Sequence, residues 1–132
     1  MARSSAPVEG RSVAGSNAVE LSIKDARWRS DLTPEMGGSG KDSDPHDLLD
    51  SALVACTIVT VQMYAKRKNY PLEGVQVSLE HDEDDAVYRM HRQVTVQGPL
   101  SQQQKDDLLR VANAYPLHKA LHKKFEITTQ VG

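Results

Sequence analysis

Cysteine and aromatic residues are scarce in this chain of 132 residues. It contains one cysteine, Cys56, together with one tryptophan and one phenylalanine. A single cysteine excludes an intramolecular disulfide, and therefore a small secreted domain stabilised by disulfides. We expect a reducing, cytoplasmic setting and a core built mainly from aliphatic side chains.

The chain also lacks a marked excess of charge. Its 16 Lys and Arg residues against 18 Asp and Glu residues give a formal net charge of −2, so no general attraction for a phosphate backbone exists and nucleic-acid binding is not expected. No run approaches the ~18 apolar residues that cross a bilayer, and the amino terminus carries no apolar signal segment. We expect a soluble protein without membrane association.

The first residues differ in composition from the rest of the chain. Residues 1–16 are mainly small and turn-forming, and they predict a flexible amino-terminal arm or an added edge strand. Residues 17–132 carry apolar-periodic segments throughout and contain no internal repeat. Their length suits one domain with its own core, so we predict a single domain there.

Two short strands open that domain. Apolar residues alternate from Val19 to Ile23, which is the period of a half-buried strand. After a turn, Ala26 to Asp31 forms a second strand on which Arg27 and Arg29 share one face. Two arginines on one strand face are commonly solvated, and the residue pattern alone predicts nothing more for them.

The longest apolar-periodic stretch predicts a helix from Asp44 to Lys68. Asp44, Pro45 and Asp47 are typical of a helix start. Apolar residues nearly surround this helix, so it requires either a deep central position or a second copy of the chain. Cys56 lies on an apolar face, where it is either inert packing or a nucleophile in a cleft. Its neighbours on the helix surface are Leu49, Ala52, Leu53, Val59, Thr60 and Met63.

The second half of the chain predicts a hairpin, a helix and a strand. Apolar alternation from Val75 to Leu79 and from Tyr88 to Val96 indicates a long hairpin with an acidic tip. A capping box from Ser101 to Gln104 opens the helix, and Phe125 to Val131 alternate as a final strand. The helix should bury one stripe of residues, namely Leu108, Leu109, Val111, Ala112 and Tyr115. This order of elements predicts an α+β fold with helices on one face of an antiparallel sheet.

Two further patterns were considered as metal sites. His118 and His122 have the spacing that two zinc ligands take on a helix, but no carboxylate or thiol lies beside them in the sequence. The acidic stretch 82–85 lacks the glycine and the terminal glutamate of a calcium-binding EF-hand loop. Neither pattern predicts a metal site, and no cofactor is expected.

Several segments, taken in order, resemble the OsmC-like family. They are Asp-Pro-His-Asp-Leu-Leu at 44–49, Ala-Leu-Val-Ala-Cys-Thr at 52–57, Met-Tyr-Ala-Lys-Arg-Lys at 63–68, Pro-Leu-Glu-Gly-Val at 71–75, Gly-Pro-Leu-Ser at 98–101 and Ala-Tyr-Pro-Leu-His-Lys-Ala-Leu at 114–121. The resemblance covers roughly Val19 to Val131. It implies an α+β fold of antiparallel sheets with a long central helix and a second helix, assembled as an intertwined homodimer.

The resemblance also implies a reaction. Cys56 matches the family's peroxidatic cysteine, whose thiolate attacks the O–O bond of a hydroperoxide and becomes a sulfenic acid. A free thiol, with a pKa of about 8.5, is mostly protonated at neutral pH and needs a nearby cation. Arg27 or Arg29 would supply that cation, and His46 or Asp47 would orient it near the place of the family's glutamate.

One departure from the family pattern concerns reduction of the sulfenic acid. Tyr115 occupies the place of the resolving cysteine, so no disulfide can form within one chain and each cycle would require an external thiol reductant. The alternative function is a non-enzymatic module that binds an apolar small molecule in a cleft at the dimer interface. The residues expected to line that cleft are Leu49, Leu53, Met63 and Tyr115.

Overall fold

A computed structural model describes residues 6–114 and 117–132 of the chain. The chain divides into two compact units, Met1–Leu49 and Asp50–Gly132. The α+β class predicted from the sequence is confirmed. The elements in chain order are the strands and helices β1 (Glu9–Ser12), β2 (Val19–Ile23), β3 (Ala26–Ser30), α1 (Pro45–Arg67), β4 (Gly74–Glu83), β5 (Tyr88–Gln97), α2 (Gln102–Ala112) and α3 (Leu117–Ala120).

The first unit contains a three-stranded antiparallel sheet in the order β1-β2-β3. Part of residues 1–16 is therefore the added edge strand, because β1 pairs along β2 with Arg11 opposite Glu20. The guanidinium of Arg11 contacts the Glu20 carboxylate at 2.6 Å. The turn between β2 and β3 places Lys24 in the left-handed region, with φ of 53°.

Helix α1 begins and ends as its sequence predicts. At its start, Asp44 and Asp47 exchange hydrogen bonds: the Asp47 amide donates to the Asp44 carboxylate at 2.8 Å, and the Asp44 amide donates to the Asp47 carboxylate at 3.0 Å. Lys66 and Arg67 occupy its last turn, where their charge is favoured by the helix dipole. Beyond it, Asn69 adopts a left-handed conformation with φ of 57°.

Only one stripe of α1 is buried. It consists of residues at intervals of four, namely Leu53, Thr57, Val61 and Ala65. A second apolar stripe is exposed, with Val59 52% and Met63 59% accessible. Cys56 is half-buried and lies between the two stripes at 100° per residue. The chain by itself thus buries only part of the apolar surface of this helix.

The expectation that no segment approaches the length of a membrane span is wrong for α1. By length and composition this helix is apolar enough to cross a membrane, and 28% of its most apolar stretch is buried. The central helix of a soluble domain has the same composition when other elements cover it. Length and composition therefore do not by themselves assign α1 to a membrane.

The second unit contains a long antiparallel hairpin formed by β4 and β5. Burial alternates along the hairpin as predicted: every second side chain of β5 is half-buried and the others are exposed. At its tip, Arg89 bonds to Asp82 at 3.0 Å and to Asp84 at 2.8 Å. The negative charge of the acidic stretch 82–85 is thus partly neutralised by Arg89 of the returning strand.

The core of this unit lies between α1, α2 and the hairpin. Val61 and Ala65 of α1 pack with Leu108 and Ala112 of α2. Around them lie partly buried side chains from the hairpin and its connections, including Val75, Val96, Leu72 and Leu100. The core is aliphatic at its centre, as the scarcity of aromatic residues requires.

The capping box of α2 is confirmed, but its inner stripe differs at one position. The Ser101 hydroxyl accepts from the Gln104 amide at 3.1 Å, and the Gln104 side chain accepts from the Ser101 amide at 3.0 Å. Leu109, expected on the buried face, is instead half exposed. It lies one residue beyond Leu108, and a rotation of 100° turns it away from α1. Tyr115, expected in the same stripe, lies outside the described residues.

The predicted final strand is wrong. Residues 124–132 form no strand in the structure, and the alternating apolar residues are highly exposed, Ile127 by 84% and Val131 by 95%. A strand requires a hydrogen-bonded neighbour, and this segment pairs with none of the described strands. Alternating apolar residues indicate which side chains would share a face of a strand, but they do not show that a partner strand is available.

Asp107 joins α2 to the end of α1 and to the loop after it. Its carboxylate accepts from the hydroxyl of Tyr64 at 2.8 Å and from that of Tyr70 at 2.7 Å. Arg110 donates to the other carboxylate oxygen at 2.8 Å. The hydrogen bond from Tyr70, followed by those from Arg110 and Tyr64, lowers the pKa of Asp107 to about 2.

This cluster predicts a pH-dependent contribution to stability. A carboxyl group whose folded pKa lies below its unfolded value, about 3.9 for Asp, stabilises the fold above the unfolded value and loses this effect as pH falls through the folded one. Replacing Asp107 by Asn should therefore lower the denaturation midpoint at pH 6. The difference from the unaltered protein should shrink between about pH 4 and pH 2.

Urea unfolding at a series of pH values measures this difference. Asp106→Asn is the matched control, because the neighbouring Asp106 is exposed and, among the described residues, accepts a side-chain hydrogen bond from Gln102 alone. A midpoint difference for Asp107→Asn that stays constant from pH 6 to pH 2 would contradict the assignment.

Candidate functional site

The sulfur of Cys56 lies between α1 and the amino end of α3. The backbone N–H of Leu117 donates to Cys56 Sγ at 3.4 Å. The Thr60 hydroxyl lies 3.8 Å from the same sulfur, one turn along α1. The sulfur of Cys56 thus has a backbone N–H donor from α3 and a hydroxyl neighbour on its own helix.

Thr57 connects the core stripe of α1 to the hairpin. Its side chain is fully buried, and its hydroxyl donates to the Leu53 carbonyl at 2.7 Å. The same oxygen accepts from Arg92 Nη1 at 2.8 Å. Arg92 lies on the half-buried face of β5, opposite Leu79 of β4. The hairpin therefore places a guanidinium beside the residue that follows Cys56.

Arg92 has only neutral hydrogen-bond partners among the residues that the structure describes. Besides Thr57, its Nη2 donates to Asn113 Oδ1 at 2.6 Å and lies 3.4 Å from His118 Nδ1. Burial lowers the pKa of Arg92, and the negative charge of a Cys56 thiolate acts in the opposite direction. The guanidinium and Cys56 therefore interact electrostatically.

The surroundings of His118 disfavour its charged form. A guanidinium can only donate, so His118 Nδ1 must accept and the ring proton must lie on Nε2. Burial, and then the charges of Arg92 and His122, lower the pKa of His118. His122 Nδ1 donates to the His118 carbonyl at 2.8 Å. In the described part of the chain no group of three or more His, Cys, Asp or Glu residues could hold a metal ion.

A cavity of about 650 Å³ opens beside Arg92. Its size falls within the range of small-molecule sites. Its polar lining residues are Arg92, Asn113, His118 and His122, which neighbour one another. The remaining lining residues are Leu53, Tyr88, Met90, Val94, Leu109 and Leu121. No carboxylate lies among these described lining residues.

A second polar cluster fixes one wall of the cavity. Asp50 of α1 accepts from the Tyr88 hydroxyl at 2.8 Å and pairs with His81 Nδ1. The rings of His81 and Tyr88 are stacked with their centroids 4.8 Å apart. These three residues come from α1, β4 and β5, so no local sequence pattern predicts their contact. Their effect is to hold the Tyr88 ring against the cavity.

The family comparison agrees with this arrangement of elements. A family model described as OsmC-like protein matches residues 38–130, which is more than half of the chain. The chain belongs to the OsmC-like family. Comparison with curated proteins gives no match.

Solved structures of OsmC-like proteins share the fold. An OsmC-like protein of Mycoplasma pneumoniae aligns with a TM-score of 0.77 at 15% identity, covering 90% of this chain and 88% of the other. The organic hydroperoxide resistance protein OsmC of Legionella pneumophila aligns at 0.68 and 19% identity, covering 92% and 91%. The organic hydroperoxide resistance protein OhrB of Bacillus subtilis aligns at 0.55 and 24% identity, covering 87% and 88%. At these identities the likeness shows the fold.

The activating residues suggested by the OsmC-like resemblance belong to the first unit. Arg27 and Arg29 lie exposed on β3, with Arg29 opposite Glu20. His46 and Asp47 lie in the first turn of α1, where Asp47 caps the helix through Asp44. Their approach to Cys56 stays a prediction. Within the second unit, the cation that interacts with Cys56 is Arg92, which bonds to Thr57, the next residue of α1.

The four residues predicted to line a cleft lie in different surroundings. Leu53 lines the cavity described here. Leu49 and Met63 belong to the exposed side of α1, so their place in a cleft between two OsmC-like chains stays a prediction. Tyr115 lies outside the described residues.

Sequence reasoning missed Arg92, although a signal for it was present. The half-buried row of β5 is otherwise apolar or aromatic, with Tyr88, Met90, Val94 and Val96 around a single arginine. A charge in an inward-facing row is costly unless it is paired or functional. A single arginine in an otherwise apolar or aromatic row is therefore a sequence signal for a functional site.

The environment of His118 predicts a low titration point. We expect its pKa below the ordinary histidine value of about 6.5, because burial and Arg92 both disfavour the imidazolium. Histidine side-chain NMR across pH 4 to 9 measures this pKa. Arg92→Gln should move the pKa of His118 upward, since one cationic neighbour is removed. A His118 pKa at or above the ordinary value would contradict the described contacts.

Proposed function

We propose that this protein reduces organic hydroperoxides with Cys56 as the nucleophile. The observation that carries the proposal is the Cys56 sulfur, which accepts the Leu117 N–H and interacts with the charge of Arg92. Hydrogen-bond donors and nearby cations are the features through which proteins activate nucleophilic cysteines. The sequence resemblance matches Cys56 to the family's peroxidatic cysteine, and the proteins of similar fold include two that are named for organic hydroperoxide resistance.

The chemical step is a two-electron displacement at oxygen. The Cys56 thiolate forms an S–O bond to one peroxide oxygen, the O–O bond breaks, and the departing alkoxide takes a proton to become an alcohol. Cysteine is oxidised to sulfenic acid and the hydroperoxide is reduced to the alcohol. An external thiol then forms a mixed disulfide with release of water, and a second thiol equivalent restores Cys56.

We assign the cationic role to Arg92 within the second unit. Its position beside Thr57 supports this assignment. Arg27 and Arg29 remain the alternative suggested by family resemblance, with His46 or Asp47 as the orienting group. Because Tyr115 replaces the resolving cysteine, the reductant must come from solution, which suits a cytoplasmic location where free thiols are abundant.

We further propose that the active form is a homodimer. The exposed stripe of α1 includes Ala52, Val59 and Met63, and a second copy of the helix would cover it. Cys56 lies at the edge of that stripe, so a partner helix would enclose the sulfur. Excluding water there would strengthen its interaction with Arg92.

A second candidate function is binding of a small molecule without chemistry. The cavity beside Arg92 supports it, because its size and apolar walls suit a ligand whether or not Cys56 reacts. In this function Leu53 contributes surface for the ligand, and Cys56 is a neighbouring side chain.

Oxidation by cumene hydroperoxide tests the first function. The purified protein should consume the peroxide with one equivalent of dithiol per turnover, and intact-mass spectrometry should detect a sulfenic or mixed-disulfide product at Cys56. Cys56→Ser should reduce consumption to the uncatalysed rate, because the chain contains no other thiol. Oxidation of the unaltered protein no faster than that of free cysteine would exclude the enzymatic function.

The homodimer is tested by introducing charge into its proposed interface. Val59→Glu together with Met63→Glu buries two carboxylates in the apolar contact, so the dimer should dissociate at least about tenfold more readily. Gln62→Glu is the control, since Gln62 is exposed on the same helix but is turned about 100° from Met63 around the helix axis. Light scattering after size-exclusion chromatography gives the mass. A monomeric unaltered protein at 50 µM would contradict the proposal.

A further inference from the structure

We propose that the cavity beside Arg92 binds the carboxylate of a small amphipathic acid, with its apolar part against the leucine and valine side chains of the walls. The inference deepens the second candidate function, on which it rests, and does not require Cys56 to react. The inference specifies the chemical class of the ligand, whereas the apolar lining of a cleft does not by itself indicate which polar group a ligand carries.

The first argument concerns charge. A half-buried guanidinium normally pairs with a carboxylate, because desolvation of an unpaired charge is costly. Arg92 contacts a hydroxyl, an amide and an imidazole, all neutral, and no described carboxylate lines its cavity. An incoming carboxylate would therefore gain an ion pair with Arg92 without displacing a carboxylate of the described lining.

The second argument concerns the donors around Arg92. Because Asn113 Oδ1 accepts from Arg92, the remaining polar group of Asn113 is its Nδ2 donor. Because His118 Nδ1 faces Arg92, its Nε2 carries the proton. Three neighbouring side chains thus offer donors at one end of the cavity. A planar carboxylate accepts several donors at once, and arginine forms the strongest of such bonds.

The third argument concerns the rest of the cavity. Away from Arg92, the walls are formed by Leu53, Met90, Val94, Leu109 and Leu121. Leu109 is half exposed, so a ligand chain would cover an apolar side chain that the fold leaves in water. The volume of about 650 Å³ lies within the range of small-molecule sites and leaves room for an acid with a short alkyl chain.

A monoanion fits this site better than a phosphate ester. Arg92 is the one fixed cation among the described lining residues, and the neighbouring His118 is disfavoured as a cation by burial and by Arg92. A doubly charged phosphate would require further positive charge. The carboxylate is therefore the acidic group that we infer.

Calorimetric titration of the full chain with octanoate and octanamide tests the inference. The two probes share chain length and differ in charge. Octanoate should bind at least about tenfold more tightly, because only the anion pairs with Arg92. Arg92→Gln should remove this preference. Arg89→Gln is the matched control: Arg89 lies on the opposite face of β5 and pairs with Asp82 and Asp84, so the preference should remain.

Asn113→Asp gives a second variant that does not remove the arginine. It places a carboxylate within reach of Arg92, so octanoate should bind at least about tenfold less tightly while octanamide is unaffected. Circular dichroism and thermal unfolding establish that each variant folds. If Arg92→Gln fails to fold, the two-probe comparison on the unaltered protein and the Asn113→Asp variant decide the question.

The outcomes separate this inference from the functions on which it builds. Equal binding of octanoate and octanamide would overturn the carboxylate assignment and leave ligand binding intact. Binding of neither probe up to about 10 mM, a free energy of under about 3 kcal/mol, would overturn both. Repeating the titration with Cys56→Ser should leave the octanoate preference in place. Its loss there would show that the preference belongs to the thiol and would overturn the role of Arg92.

Discussion

Helix α1 is apolar nearly all round, but its own chain buries only the stripe through Leu53, Thr57, Val61 and Ala65. This constraint determines the rest of the second unit. The hairpin and α2 must pack on that stripe, and Cys56, one residue before Thr57, falls at its edge. The sulfur is then close enough to the core to meet fixed donors, yet accessible to a ligand or to a second copy of the chain.

Much of the fold was predictable because its signals are local. The ends of α1 follow from Asp44, Asp47 and the basic last turn, and α2 follows from the Ser101 capping box. The hairpin follows from alternation along β4 and β5. In each case the hydrogen bonds that stabilise the element join residues near one another in sequence or on facing strands, so the pattern contains the reason for the structure.

The candidate site was predictable only in part, because its contacts join distant elements. The sequence and the family resemblance single out Cys56. Arg92 of β5, in contrast, forms its contacts with residues of three other segments, namely Thr57, Asn113 and His118. Alternation predicted a strand over Phe125 to Val131, yet that segment has no partner strand among those described. The local sequence pattern of a helix or strand shows which side chains share a face, but it does not show which other element packs on that face.

The hydrogen bond from the Leu117 amide to Cys56 joins the reactive atom to the backbone of a different segment. A sulfenic acid places an oxygen on that sulfur, which changes both the acceptor and the space available to the amide. The hydrogen bond of the Leu117 N–H would therefore change when the cysteine is oxidised. The chemical shift of this N–H and its rate of exchange with solvent deuterium record, at one backbone position, whether the thiol sixty-one residues earlier has been oxidised.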